Sequence, residues 1–216
     1  MIDFLLNRRS TPLKLMSSEN GPSRDEINTI LTAAARVPDH NKVFPWHFTV
    51  LQGEQRREAG HMIGDIYATK FPDAPTEKLS QVRDTFMRAH TVIIVTSRIR
   101  EAGAPIWEQA LSAGAASYNL CLAANAIGYG TNWLTEWYCF DDAVKKAFGL
   151  DERDHFAGFI YIGAQTEKPE DRDRPDLNAI TTFWEKDKPL NKGDDYGRKG
   201  RGYPEDGFDF SKIKRG

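Results

Sequence analysis

Apolar positions along this chain follow two rhythms, one of strands and one of helices. The run Thr91-Val92-Ile93-Ile94-Val95-Thr96 is continuously apolar or β-branched, as a strand covered on both faces should be. Trp46 to Leu51 alternates aromatic and β-branched residues with polar ones and reads as a second strand. His155–Gly163 is a third β-rich run, and Thr131–Trp137 a fourth. Between them the spacing lengthens to helical period. Residues 2–9 form a short helix with Phe4, Leu5 and Leu6 as its apolar side. Ser23 and Glu26 stand at capping-box spacing and open a helix whose inner face is Ile27, Ile30, Leu31 and Ala34, and which Pro38 closes. Residues 53–70 and 74–89 are rich in helix formers, and Asp141 caps a short helix running to Phe148. The longest helical pattern is 107–127, where Leu111, Ala115, Leu120, Ala123, Ala124 and Ile127 mix with the small residues Ala110, Ala113, Gly114 and Ala116; Gly128 and Gly130 stop it. Helices interleaved with about four strands make an α+β or α/β sandwich, one sheet with helices on its faces.

Composition adds a boundary. Residues 1–184 carry the core pattern, whereas 185–216 hold few large apolar side chains and many Gly, Lys, Arg and Asp, so the tail cannot form a core of its own. The chain has 216 residues and a net charge of −2 from 29 basic and 31 acidic groups, which gives no bulk attraction to nucleic acid. No apolar run approaches the roughly 20 residues of a membrane span. The N-terminus lacks the basic-then-apolar order of a signal peptide, so a cytoplasmic protein is expected. Cys121 and Cys139 fit that compartment as reduced thiols in or near the core.

Chemistry-bearing motifs are sparse. Arg8-Arg9-Ser10 ends the first helix; two guanidiniums and a hydroxyl suit a phosphate or a flavin pyrimidine edge, and equally a solvated helix end. Pro38-Asp39-His40 leads through Pro45-Trp46-His47-Phe48 into a strand, a rigid polar loop whose plain structural alternative is that Trp46 plugs the core. Gly128-Tyr129-Gly130 follows a helix and precedes a strand, the reverse of a dinucleotide fingerprint. There is no HExxH, CxxC, GxSxG or P-loop, so no metal is expected. Acid pairs such as Asp39 with Glu108 have no pattern that separates them from surface charge. With no nucleophile or acid–base set in view, the residues point to an enzyme that borrows its chemistry from a cofactor.

Taken in order, four stretches resemble the nitroreductase family, in particular its small members with Pro-Asp-His before the Pro-Trp strand. They are Asn7-Arg8-Arg9-Ser10; Ala35-Arg36-Val37-Pro38-Asp39-His40 through Phe48; Trp107-Glu108-Gln109 with Ser112-Ala113-Gly114, running to Gly128-Tyr129-Gly130 and Trp133; and Tyr161-Ile162-Gly163-Ala164. The resemblance covers roughly residues 1–175. It implies an α+β sandwich, a central sheet flanked by helices, that dimerises through long helices with FMN at the interface. It places Arg8, Arg9 and Ser10 on the flavin phosphate and ring edge, Arg36 and His40 against FMN from the loop, and Trp133, Leu134 and Thr135 along it. Ala123 falls at a nicotinamide contact, and Arg172 and Arg174 match a basic pair that meets the phosphate in larger relatives.

The implied reaction passes hydride from NADH or NADPH through flavin N5 to a small electron-poor acceptor such as a nitroaromatic or quinone, with no side chain needed as catalyst. A flavin enzyme of the same fold doing dehydrogenation or dehalogenation is the alternative. A third reading is a binding protein whose basic tail, Lys192, Arg198, Lys199 and Arg201, meets an acidic partner. The sequence departs from the family pattern at Pro12, where relatives carry a basic residue that Lys14 could replace, at Phe44 in place of Gln, and at Leu134 in place of a polar residue. Each removes a polar group and implies a more apolar substrate pocket. The tail is expected to wrap the partner subunit, anchored by Tyr203, Phe208 and Phe210.

Overall fold

The structure, a computed structural model, describes residues 1–101 and 103–190. Its centre is one four-stranded antiparallel sheet of β1 (Trp46–Gln52), β2 (Thr91–Ser97), β3 (Tyr129–Leu134) and β4 (His155–Ala164), ordered β1-β2-β4-β3. Every residue of β2 is buried, as its continuously apolar run requires. Alternate side chains leave opposite faces of a strand. Val92, Ile94, Phe159 and Tyr161 therefore enter one core cluster, and Ile93, Val95, Ile160 and Ile162 the other.

Helices cover both faces. On the first lie α3 (Glu54–Lys70), α4 (Thr76–Arg83) and α6 (Asp142–Ala147), through Ile63, Val82 and Val144. On the second lie α2 (Arg24–Ala34) and α5 (Ile106–Ala126), through Ile27, Ile30, Ala34, Leu120 and Ala124. The expected capping box is formed, Ser23 Oγ accepting from the Glu26 N–H at 3.3 Å and the Ser23 N–H donating to Glu26 Oε2 at 2.8 Å. Asp141 caps α6 by accepting from the Val144 N–H at 3.0 Å. Both cysteines are free and buried; burial pushes the Cys121 thiol up to about 11 and that of Cys139 up to about 12.

Several boundaries differ from the sequence pattern, each for a local reason. The first helix, α1 (Ile2–Asn7), stops before Arg8, whose backbone is extended. The chain then runs along the edge of β3, where the Thr11 N–H donates to the Thr131 carbonyl at 2.8 Å. Residues 74–89 divide into α4 and a 3-10 turn, Thr85–Arg88. Gly128, at φ 99°, does end α5, but Gly130 lies inside β3, where a Cβ would meet the Thr11 hydroxyl at 2.7 Å. The expected strand to Trp137 ends at Leu134, and Trp137 opens a 3-10 turn, Trp137–Cys139. The partner strand explains it: β4 bulges at Ala157, Val95 facing Gly158 and Thr96 facing Phe156, so pairing with β3 ends at Leu134–Phe159.

The described chain divides into two units, Met1–Pro169 and a second beginning at Glu170. The second holds a short helix, α7 (Leu177–Ile180), and exposed Phe183 and Trp184. The tail residues Lys192, Arg198, Lys199, Arg201, Tyr203, Phe208 and Phe210 lie outside the described residues.

Phe159 joins the layers on the first face, fully buried, stacked on Phe86 at 5.5 Å between ring centroids and edge-on to Tyr138 at 4.6 Å. Phe159→Ala should cost about 3–5 kcal/mol, a large share of the roughly 5–15 kcal/mol that holds a domain together. A drop in the urea midpoint with unchanged slope is the expected result.

Candidate active site

The extended stretch after α1 delivers two arginines to one end of α5. Arg8 and Arg9 line a cleft of about 250 Å³ together with Lys168, the polar side chains Asn7, Asn125 and Gln165, and the walls Phe4 and Tyr129. The cleft is built from anchored parts. Asn125 Nδ2 donates to the Tyr129 carbonyl at 2.8 Å, and Gln165 Nε2 to Thr11 Oγ1 at 2.9 Å. The Arg8 guanidinium sits 5.6 Å from the Tyr118 ring centroid, a cation–π contact that aims it across α5. Three cations, with no carboxylate among the described lining residues, give this cleft a basic lining. A larger hollow of about 560 Å³ lies on the opposite face between α4 and Trp137. Three acids against two bases line it, and its Arg88 is already engaged with Glu136 at 2.6 Å and Tyr161 at 3.0 Å.

At the far end of β3, Trp133 lies across the sheet margin, its indole N–H donating to the Ala157 carbonyl at 3.0 Å. Ala157 is the bulge residue, so its carbonyl is turned out of the ladder. A Cβ on Gly158 would run into the indole, which makes that glycine the condition for Trp133's position. Alternation along an antiparallel ladder turns the Trp133 N–H and C=O to the outer edge, as it does for Thr131. Leu134 is half-buried and packs on the first core; Thr135 is exposed just beyond the strand.

The loop before β1 is under backbone strain. Asn41, Lys42 and Phe44 all have positive φ, 60°, 55° and 50°, without being glycine. Asp39 holds it there, its carboxylate accepting from the Val43 N–H at 3.2 Å and the Phe44 N–H at 2.9 Å. Phe44 is exposed and packs edge-on against Trp46. His40 Nδ1 lies 2.6 Å from Glu108 Oε2 on the first turn of α5. Arg36 is exposed at the start of this loop.

The expected site residues thus fall into separate groups. Arg8 and Arg9 share the basic cleft, and Ser10, exposed, follows them. His40 lies toward the other end of α5, where Glu108 and Tyr118 are ten residues apart, about 15 Å along the helix axis; Arg36 stands between Ala33, whose carbonyl accepts from Asn119, and Pro38, whose carbonyl accepts from Ser112. Ala123 packs half-buried on the second core and is not among the residues lining the cleft. Arg172 and Arg174 belong to the second unit, where Arg174 pairs with Asp171 at 2.9 Å. Sequence reasoning missed Lys168, Asn125 and Gln165 in the cleft, and Glu108, which it treated as ordinary surface charge.

Comparison with known proteins matches this architecture. The model of the nitroreductase family matches residues 5–164. YdjA of Escherichia coli strain K12, named for an inferred NAD(P)H nitroreductase activity, is 32% identical over 187 residues, covering 85% of this chain and 98% of that protein. Two solved structures share the fold. One is a nitroreductase-like family protein from Bacillus cereus, with TM-score 0.71 and 19% identity over 85% of this chain and 95% of that one. The other is a nitroreductase with bound FMN from Bacteroides fragilis, with TM-score 0.62 and 21% identity over 85% of this chain and 98% of that one. With a family model spanning most of its length and a relative aligned nearly end to end, the chain belongs to the nitroreductase family.

Proposed function

We propose that this protein is an FMN-dependent oxidoreductase that takes reducing equivalents from NADH or NADPH and passes them to a small electron-poor acceptor such as a nitroaromatic or a quinone. The observation that carries the reading is the basic cleft. Arg8, Arg9 and Lys168 with Asn7, Asn125 and Gln165 match a phosphate monoester, which wants charged forks and neutral donors together. The outward N–H and C=O of Trp133 suit the polar edge of a planar heterocycle, with Ser10, Leu134 and Thr135 beside them. Bound flavin supplies the two-electron chemistry that no side chain here offers. This chain's residues bind it and orient it, and the Arg8 charge offsets negative charge that accompanies the cofactor. On this reading Phe44, which is exposed, and Leu134, which is half-buried, would give an acceptor pocket an apolar lining.

The same reading calls for two copies. About 15 Å of α5 separates Glu108, which holds His40, from Tyr118, over which Arg8 lies, and a second copy would shorten that path. A second α5 running antiparallel across a twofold axis would bring one copy's His40 beside its partner's cleft. Leu111 (53% exposed), Gly114 and Tyr118 (43% exposed) lie four, seven and eleven residues on from Trp107 and form the outward stripe on which two such helices would meet. Gly114 has nothing within 4 Å of the position its Cβ would take, so another backbone can approach there. The tail from residue 185, preceded by the exposed Phe183 and Trp184, would wrap the partner subunit.

Purified protein reconstituted with FMN should show flavin absorbance that bleaches with NADH or NADPH under anaerobic conditions; no bound flavin after reconstitution would end the reading. Arg8→Ala should weaken FMN binding by on the order of 1.5–3 kcal/mol, the value of a charge-assisted hydrogen bond, measured by quenching of flavin fluorescence. Leu111→Glu should shift the protein from dimer to monomer in sedimentation and lower flavin content with it, whereas an unchanged dimer would remove α5 from the interface.

A further inference from the structure

We propose that Glu108 is a positioning residue for the His40 imidazole: it fixes which ring nitrogen carries the hydrogen, so that Nε2 is presented as a hydrogen-bond acceptor to the bound flavin. The inference rests on the flavin reading above and goes beyond it by assigning Glu108 a function. An ionised carboxylate only accepts hydrogen bonds. With Glu108 Oε2 at 2.6 Å from Nδ1, the hydrogen of a neutral imidazole is on Nδ1 and its lone pair on Nε2. That lone pair matches a ligand group with a hydrogen to donate, such as the ring N–H or a ribityl hydroxyl of the flavin. Asp39, the neighbouring acid, is committed to the backbone N–H groups of Val43 and Phe44, so the carboxylate that meets the imidazole is Glu108.

The geometry separates this role from simple support of the loop. Ser112, one helical turn after Glu108, donates its hydroxyl to the Pro38 carbonyl at 2.6 Å. The same face of α5 therefore grips the loop twice, once by its backbone through Ser112 and once by the imidazole through Glu108. The backbone grip survives when Glu108 is changed. What is lost is control of a half-exposed ring that could otherwise rotate and exchange its hydrogen between nitrogens.

Full-length apoprotein should be titrated with FMN, reading flavin fluorescence, for the wild type, Glu108→Gln, His40→Ala, the double variant and Arg8→Ala. Glu108→Gln and His40→Ala are each expected to weaken FMN about tenfold, as loss of one oriented hydrogen bond would. The double variant should bind no more weakly than His40→Ala alone, because Glu108 acts only through His40. Nitrogen-15 spectra of the wild-type imidazole should show the hydrogen on Nδ1, and Glu108→Gln a mixture. Wild-type affinity in Glu108→Gln, losses that multiply in the double variant, or a wild-type ring with its hydrogen on Nε2 would each overturn the proposal. A protein that binds FMN and is weakened by Arg8→Ala, but not by the other two, sinks this proposal alone; a wild type that binds no FMN sinks the flavin reading itself.

Discussion

The structure depends on a constraint set by its two central strands. β2 and most of β4 have no face that can meet water, so helices must close the sheet on both sides. α5 closes one of them, and its composition reflects two demands. Leu120, Cys121 and Ala124 face the sheet, while Leu111 and Tyr118 point away from it. The helix is therefore both core and surface along its whole length. Three parts of the proposed site are attached to it: the loop of His40 near its start, Arg8 over Tyr118 in its second half, and the basic cleft at its end.

Much of this was legible in the residues because it follows from local periodicity. The capping box at Ser23, the cap at Asp141 and the buried run of β2 depend on neighbours within a turn or on a strand's own pattern. What was not legible depends on distant partners. Trp137 has the aromatic character of a strand residue, and only the bulge at Ala157, on another strand, shows why pairing ends at Leu134. Gly130 reads as a helix stop because glycines follow helices; the need for it comes from Thr11, more than a hundred residues earlier in the chain.

The site divides in the same way. Arg8-Arg9-Ser10 could be singled out because paired guanidiniums beside a hydroxyl have a recognisable chemistry. Lys168 could not, since it stands in a charged stretch with nothing local to distinguish it, and it matters only because the end of β4 leads it to the same cleft. Glu108 was read beside Asp39 as a pair of acids. In the fold the two have different employments, one capping backbone N–H groups and the other holding an imidazole 68 positions away in sequence.

The positive φ angles at Asn41, Lys42 and Phe44 bear on how such a protein can change over generations. At Lys42 and Phe44 a side chain in that region costs roughly 1–2 kcal/mol relative to the ordinary backbone, so glycine at either would relieve strain wherever only thermal stability is under selection. Each such step would also free the loop to sample other shapes and blur the placement of the imidazole beside it. Variation here would trade thermal robustness against the placement of that imidazole within a few adjacent codons.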